Sequence, residues 1–132
     1  MKTIDMTRLL SPEWGVTPDG LMTTQFGAAI GFVASQVHTV MLVFAESYDG
    51  LTFAVKINDT DWQDIPVTEQ TLTVIIPTDT AEVHLVLRDR DISSEAFWQD
   101  PVYLTAMTID QGEVTPLDMD QPYVTFVGDS IT

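Results

Sequence analysis

Short β-prone runs recur along this chain and are separated by turn-forming residues. The runs are LMTTQF (21–26), AIGFVA (29–34), TVMLVFAE (39–46), LTFAVKI (51–57), TLTVIIP (71–77), AEVHLVL (81–87), VYLTAMTI (102–109) and YVTFV (123–127). Between them stand Pro18-Asp19-Gly20, Asp49-Gly50, Asn58-Asp59, Pro77 with Asp79, and Gln111-Gly112. Strands returning every ~8–12 residues with such punctuation predict an all-β sandwich or barrel.

The alternation supports antiparallel, half-buried strands. Val83, Leu85 and Leu87 share one face of their run, and His84, Val86 and Arg88 the other. Leu51, Phe53, Val55 and Ile57 likewise alternate with Thr52, Ala54 and Lys56. TVMLVFA is apolar on both faces, which places it centrally in a sheet. Asp49-Gly50 lies between two β-runs and is the strongest hairpin signal, because Gly accepts positive φ at little cost. One short helix is expected over SSEAFWQ (93–99), with Ser at the N-cap, an acid in the first turn and Pro101 as the stop.

A chain of 132 residues fits a single domain, and without cysteine it has neither disulfides nor thiolate chemistry. Five Lys and Arg face 20 Asp and Glu, for a formal net charge of -15. Such a surface repels a nucleic-acid duplex and an anionic membrane, so neither is an expected partner. The first residues, MKTIDMTRLLSPEW, hold no continuous apolar leader core. The expected location is therefore the cytoplasm, or outside the cell if a leader has been trimmed.

The last nine residues, VTFVGDSIT (124–132), carry the sharpest motif. A nucleophilic serine needs its oxygen lifted off a strand end, close to backbone N–H groups that hold an oxyanion. A strand followed by Gly128, Asp129 and Ser130 provides that arrangement. The stretch resembles the opening block of the SGNH, or GDSL-type, hydrolases. The resemblance implies that Ser130 is a nucleophile and that Asp129 supports its turn. The preceding hundred residues are similar to the jelly-roll domain that comes before this block in deacetylases of carbohydrate esterase family 2. The runs VKINDTDW, HLVLRDRD and LTAMTID stand in the order such domains show.

The rest of that family's machinery is missing from these residues. Its oxyanion Asn lies in a Gly-x-Asn-Asp block, whereas Asn58 here sits in VKIND. Its base lies in a later Asp-x-x-His block. His38 and His84 both precede Ser130, and neither has Asp three residues before it. A serine without a base is a poor nucleophile, so this chain is not expected to hydrolyse esters.

The remaining signals divide between solvated surface and binding. DTDWQD (59–64) gathers carboxylates, but an EF-hand starting at Asp59 would need Gly where Asp64 stands and Glu where Gln70 stands. A hairpin loop is the expected reading, with no metal site. DRD (89–91) reads as a solvated strand end. NDT (58–60) matches a glycosylation acceptor that matters only in a secreted eukaryotic protein. Gly27 and Gly31 read as a bulge or as crowded packing. His38 and His84 read as surface or half-buried residues. Trp14, Trp62 and Trp98 are either core or interdomain contacts, or platforms on which sugar rings stack. Trp62 and Trp98 are the candidate ligand-binding residues. Phe97 and Trp98, beside Pro101, are alternatively expected to face a following domain.

Together these readings predict a jelly-roll-like β-sandwich of two antiparallel sheets over residues 1–120. Residues 121–132 are read as a connector plus the first strand and nucleophile turn of an SGNH domain. The expected role is non-catalytic and accessory to an SGNH-type esterase or carbohydrate deacetylase. The expected partners are a C-terminal catalytic domain and carbohydrate or acylated substrate, with no cofactor. The alternatives are a free-standing carbohydrate-binding module or an interaction domain without a small ligand.

Overall fold

The computed structural model describes residues 2–18 and 20–117. Among these, eleven strands and one helix follow in the order β1 (Lys2–Thr3), β2 (Gly15–Thr17), β3 (Gly20–Thr23), β4 (Ala29–Ser35), β5 (Thr39–Phe44), β6 (Thr52–Ile57), β7 (Gln63–Pro66), β8 (Thr71–Ile75), β9 (Thr80–Asp89), α1 (Ser94–Gln99), β10 (Val102–Ile109) and β11 (Glu113–Pro116). One antiparallel sheet has the order β2-β3-β10-β5-β8, with β1 also on β10. The other has the order β11-β4-β9-β6-β7. The chain is an all-β sandwich of two antiparallel sheets. Beyond the β2–β3 and β6–β7 hairpins, each connection from β3 onward carries the chain into the opposite sheet, which is a jelly-roll winding.

The expected strands form because their alternating apolar residues meet across the two sheets. In β9 the buried residues are Ala81, Val83, Leu85 and Leu87, and in β4 they are Ile30, Phe32 and Ala34. The facing sheet contributes Val40, Leu42 and Phe44 from β5 and Leu72 and Val74 from β8. Phe44 and Phe53 join the layers, with ring centroids 5.9 Å apart. TVMLVFA is central, as its two apolar faces predict: β5 pairs with β10 on one side and β8 on the other.

Asp49-Gly50 is a turn but not a hairpin, because β5 and β6 lie in different sheets. Gly50 has φ of 68°, and a Cβ there would approach the Asp91 nitrogen to 2.9 Å. The signal reported the local backbone correctly. It carried no information about which sheet the next strand joins.

α1 begins where expected, with the Ser93 hydroxyl accepting a hydrogen bond of 3.2 Å from the Ala96 N–H. Its Phe97 is fully buried and packs edge-on against Phe26, with centroids 5.1 Å apart. Phe97 is therefore a core residue and does not face a following domain. Arg90, expected at a solvated strand end, is also buried. Its guanidinium carbon lies over the rings of Tyr48 (5.1 Å) and Phe97 (4.8 Å). Ser130, Asp129, the strand expected over 123–127 and the boundary near residue 120 lie outside the described residues.

Candidate functional site

The outward face of the β11-β4-β9-β6-β7 sheet carries the candidate site. Strand pairing sets Gly31 against His84, and His84 against Lys56. The pairs Pro116–Phe32 and Val55–Gln63 extend this row by one residue at each side, to Leu117 and Trp62. A single row across the sheet thus reads Leu117, Gly31, His84, Lys56, Trp62. The neighbouring row places Ala29 beside Val86 and Val86 beside Ala54. Small side chains in both rows lower the sheet surface locally.

The N-terminal segment closes one side of this depression. The Gly31 N–H donates to the Leu9 carbonyl at 2.8 Å, and the Ser11 N–H to the Ala29 carbonyl at 2.9 Å. The Ser11 hydroxyl in turn accepts from the Ala29 N–H at 2.8 Å. These bonds hold residues 9–11 along the start of β4. The result is a cavity of about 240 Å³, with Arg8 and Ser11 on one side, Gly31, Ala29 and Val86 beneath, and His84 and Trp62 in its wall.

Chemically the cavity has an apolar floor and a polar rim. Among the described residues the lining includes no Asp or Glu, in a chain that carries 20 of them. The indole of Trp62 is 49% exposed, and the Lys56 ammonium lies 6.0 Å from its ring centroid, at the limit of a cation–π contact. His84 Nε2 lies 3.1 Å from a Glu82 carboxylate oxygen, which fixes the imidazole at the cavity wall. Arg88 and Asp64 pair at 3.1 Å on the same sheet face, both largely exposed. Such a surface suits a ring with one apolar face and several hydroxyls.

The three tryptophans separate clearly. Trp14 is buried and belongs to the core. Trp62 is half-exposed in the cavity wall, whereas Trp98 is 70% exposed on α1 and does not line this cavity. The two candidate platforms are therefore not brought together at this cavity. His84 is half-buried on its strand, within the surface or half-buried reading of the sequence, whereas nothing in the sequence singled out Arg8 or Ser11. The Gly31 crowding signal was the available clue: a Cβ there would come within 2.7 Å of Leu117 Cδ1.

No protein-family model matches this chain, and no curated protein matches it. Solved structures do. A family two carbohydrate esterase from Cellvibrio japonicus superposes with a TM-score of 0.66 at 16% identity, over 87% of this chain and 35% of that chain. The likeness is one of fold. The chain spans about a third of that esterase's length. A family 35 carbohydrate-binding module from an environmental isolate matches with a TM-score of 0.44 at 18% identity, over 88% of this chain and 89% of that one. The CBM35 from Cellvibrio japonicus Abf62 also gives 0.44, at 12% identity over 85% and 82%.

Proposed function

We propose that the sandwich is a carbohydrate-binding accessory domain of an SGNH-type esterase or carbohydrate deacetylase. The observation that carries this reading is the half-exposed indole of Trp62 in the wall of an apolar-floored cavity rimmed by Arg8, Ser11 and His84. A pyranose presents C–H groups on one face and hydroxyls at its edge. The C–H face stacks on the indole, while the guanidinium, hydroxyl and imidazole satisfy the edge. In the longer protein Ser130 attacks the acyl carbonyl and Asp129 supports its turn. The base and the second oxyanion donor come from residues beyond Thr132. The 132-residue chain alone binds substrate and does not turn it over.

A free-standing carbohydrate-binding module is the second reading. It is favoured by the described residues 8–117 supplying the indole, the apolar floor and the polar groups of the cavity by themselves. Both readings are tested by calorimetric titration of the chain with neutral xylo-, manno- and cello-oligosaccharides, in acetylated and deacetylated forms. Saturable binding that falls about tenfold or more in Trp62→Ala is expected, the size of an aromatic hot-spot loss. Absence of binding by every oligosaccharide, or equal binding by Trp62→Ala, overturns both. Fusion to the following coding sequence separates them: the accessory reading requires ester hydrolysis that disappears in Ser130→Ala.

A further inference from the structure

The local charge of the Trp62 cavity runs against the charge of the whole chain. Five Lys and Arg stand against 20 Asp and Glu. Three of those five lie at this cavity or on its sheet face. Arg8 lines it, Lys56 sits in the row that ends at Trp62, and Arg88 follows along β9. Of the other two, Arg90 is buried and Lys2 belongs to the opposite sheet.

Two acids on strands of this face are already engaged. Asp64 pairs with Arg88 at 3.1 Å, and Glu82 holds His84 Nε2 at 3.1 Å. Glu113 stands across from Ser35, at the far end of β4. Asp5 acts on Arg8 through space, while its carboxylate accepts from the N–H and hydroxyl of Thr7 at 3.0 and 2.9 Å. Among the described residues neither Arg8 nor Lys56 makes an ion pair. The strand register sets Lys56 directly across from His84, and such cross-strand neighbours have Cβ atoms about 5 Å apart.

We propose that the sugar ring bound in this cavity carries an anionic substituent, a carboxylate or a sulfate ester, so the proposal rests on the carbohydrate-binding reading of the same site. Arg8 receives the anion. Its planar fork delivers two hydrogen bonds at once to a carboxylate or sulfate. His84 and Lys56 add donors and positive charge on the other side of the floor. A concave site lined by one sign of charge focuses its field on the bound group. The net charge of -15 opposes an anion only at long range, and salt screens that repulsion beyond about 10 Å. The apolar floor and the Trp62 indole remain the surface on which the ring itself rests.

The test is amide NMR titration of the isotopically labelled 132-residue chain with methyl glycosides of the gluco, galacto and manno series. Each series comprises the parent sugar, its 6-sulfate, its uronic acid and the methyl ester of that acid. The ester keeps the shape of the acid without the charge, so this pair isolates the anion. In at least one series the uronate or the 6-sulfate is expected to bind about tenfold tighter than its neutral counterpart, the value of a charge-assisted hydrogen bond. The shifts fall at residues 8–11, 29–31 and 84. The two anionic arms show which substituent the fork takes. The gap narrows at high salt and closes in Arg8→Gln, a change at an exposed side chain. Equal binding of anionic and neutral forms in every series overturns the proposal and leaves the carbohydrate reading standing. A preference that survives intact in Arg8→Gln does the same. No shift with any anionic sugar also overturns it, and if neutral oligosaccharides fail to bind as well, the carbohydrate reading falls with it.

Discussion

The hydroxyl of Tyr48 accepts a 2.8 Å hydrogen bond from the backbone N–H of Tyr103, at the second residue of β10. This bond ties the β5–β6 crossover to the facing end of the same sheet that β5 belongs to. Burial raises the Tyr48 phenol above its ordinary pKa, against the opposing pull of the Tyr103 N–H. Tyr48→Phe keeps the ring between Arg90 and Phe44 but strands the Tyr103 N–H. A loss of about 1–3 kcal/mol is expected, seen as a lower denaturation midpoint with an unchanged m-value. The raised pKa also has a sign. The folded state holds this proton more tightly, so the associated stability is complete below the ordinary tyrosine pKa of about 10 and is lost as pH rises through the folded value. Tyr48→Phe therefore shows a shallower alkaline decline than the parent.

Asp110 makes a comparable tie at the other end. One of its carboxylate oxygens accepts from the backbone N–H groups of His38 and Thr39, each at 3.0 Å. The Thr39 N–H is the main cause of its lowered pKa. A depressed carboxylate stabilises the fold above its unfolded pKa near 4, and the contribution disappears as pH falls through the folded value. Asp110→Asn is expected to narrow the stability difference between pH 7 and pH 3 relative to the parent. Urea unfolding at a series of pH values reads this directly. An identical acid limb in the two proteins would mean that the carboxylate charge contributes nothing there.

The Ser93 cap is worth more than its exposure suggests, because the helix it starts delivers Phe97 to the core. Ser93→Ala removes the acceptor for the Ala96 N–H. The expected destabilisation is about 0.5–2 kcal/mol, whereas Ser93→Gly loses only a few tenths. A thermal melt comparing the two substitutions distinguishes a capping effect from a general loop effect, which would treat Gly as the worse replacement.

Most of the sandwich is readable from alternation, and the exceptions have identifiable physical causes. β1, β2, β7 and β11 escape notice because they are two to four residues long and mostly exposed, with little apolar pattern. Pro66 and Pro116 at the ends of β7 and β11 also argue locally against a strand. In β10 strict alternation from Val102 and Leu104 would point Ala106 and Thr108 inward. A bulge between Leu104 and Ala106 re-phases the strand, so Met107 and Ile109 are buried instead. The burial of Arg90 is not legible in the sequence, because spacing does not show that Tyr48, in a loop 42 residues before it, and Phe97, in the helix 7 residues after it, converge on its side chain. The Trp62 cavity was half legible. The exposed tryptophan in a hairpin turn was visible, but its partners Arg8, Ser11 and Gly31 arrive by register and by the course of residues 9–11.

Gly31 offers the cleanest separation of binding from stability. It lies within β4, in the floor of the Trp62 cavity, and its backbone conformation is one a side chain accepts. A Cβ there meets Leu117 Cδ1 at 2.7 Å and His84 Nδ1 at 3.8 Å. The first neighbour is the far end of a flexible side chain, so it moves at little cost. Valine suits a pleated strand and favours it over glycine. Gly31→Val should therefore leave the melting temperature near or above that of the parent. Its two methyl groups occupy the floor on which a sugar ring would rest, so calorimetric binding of neutral oligosaccharides should be lost at that cavity. Retained binding with a well-folded variant would remove this floor, and the Trp62 wall above it, from the recognition surface.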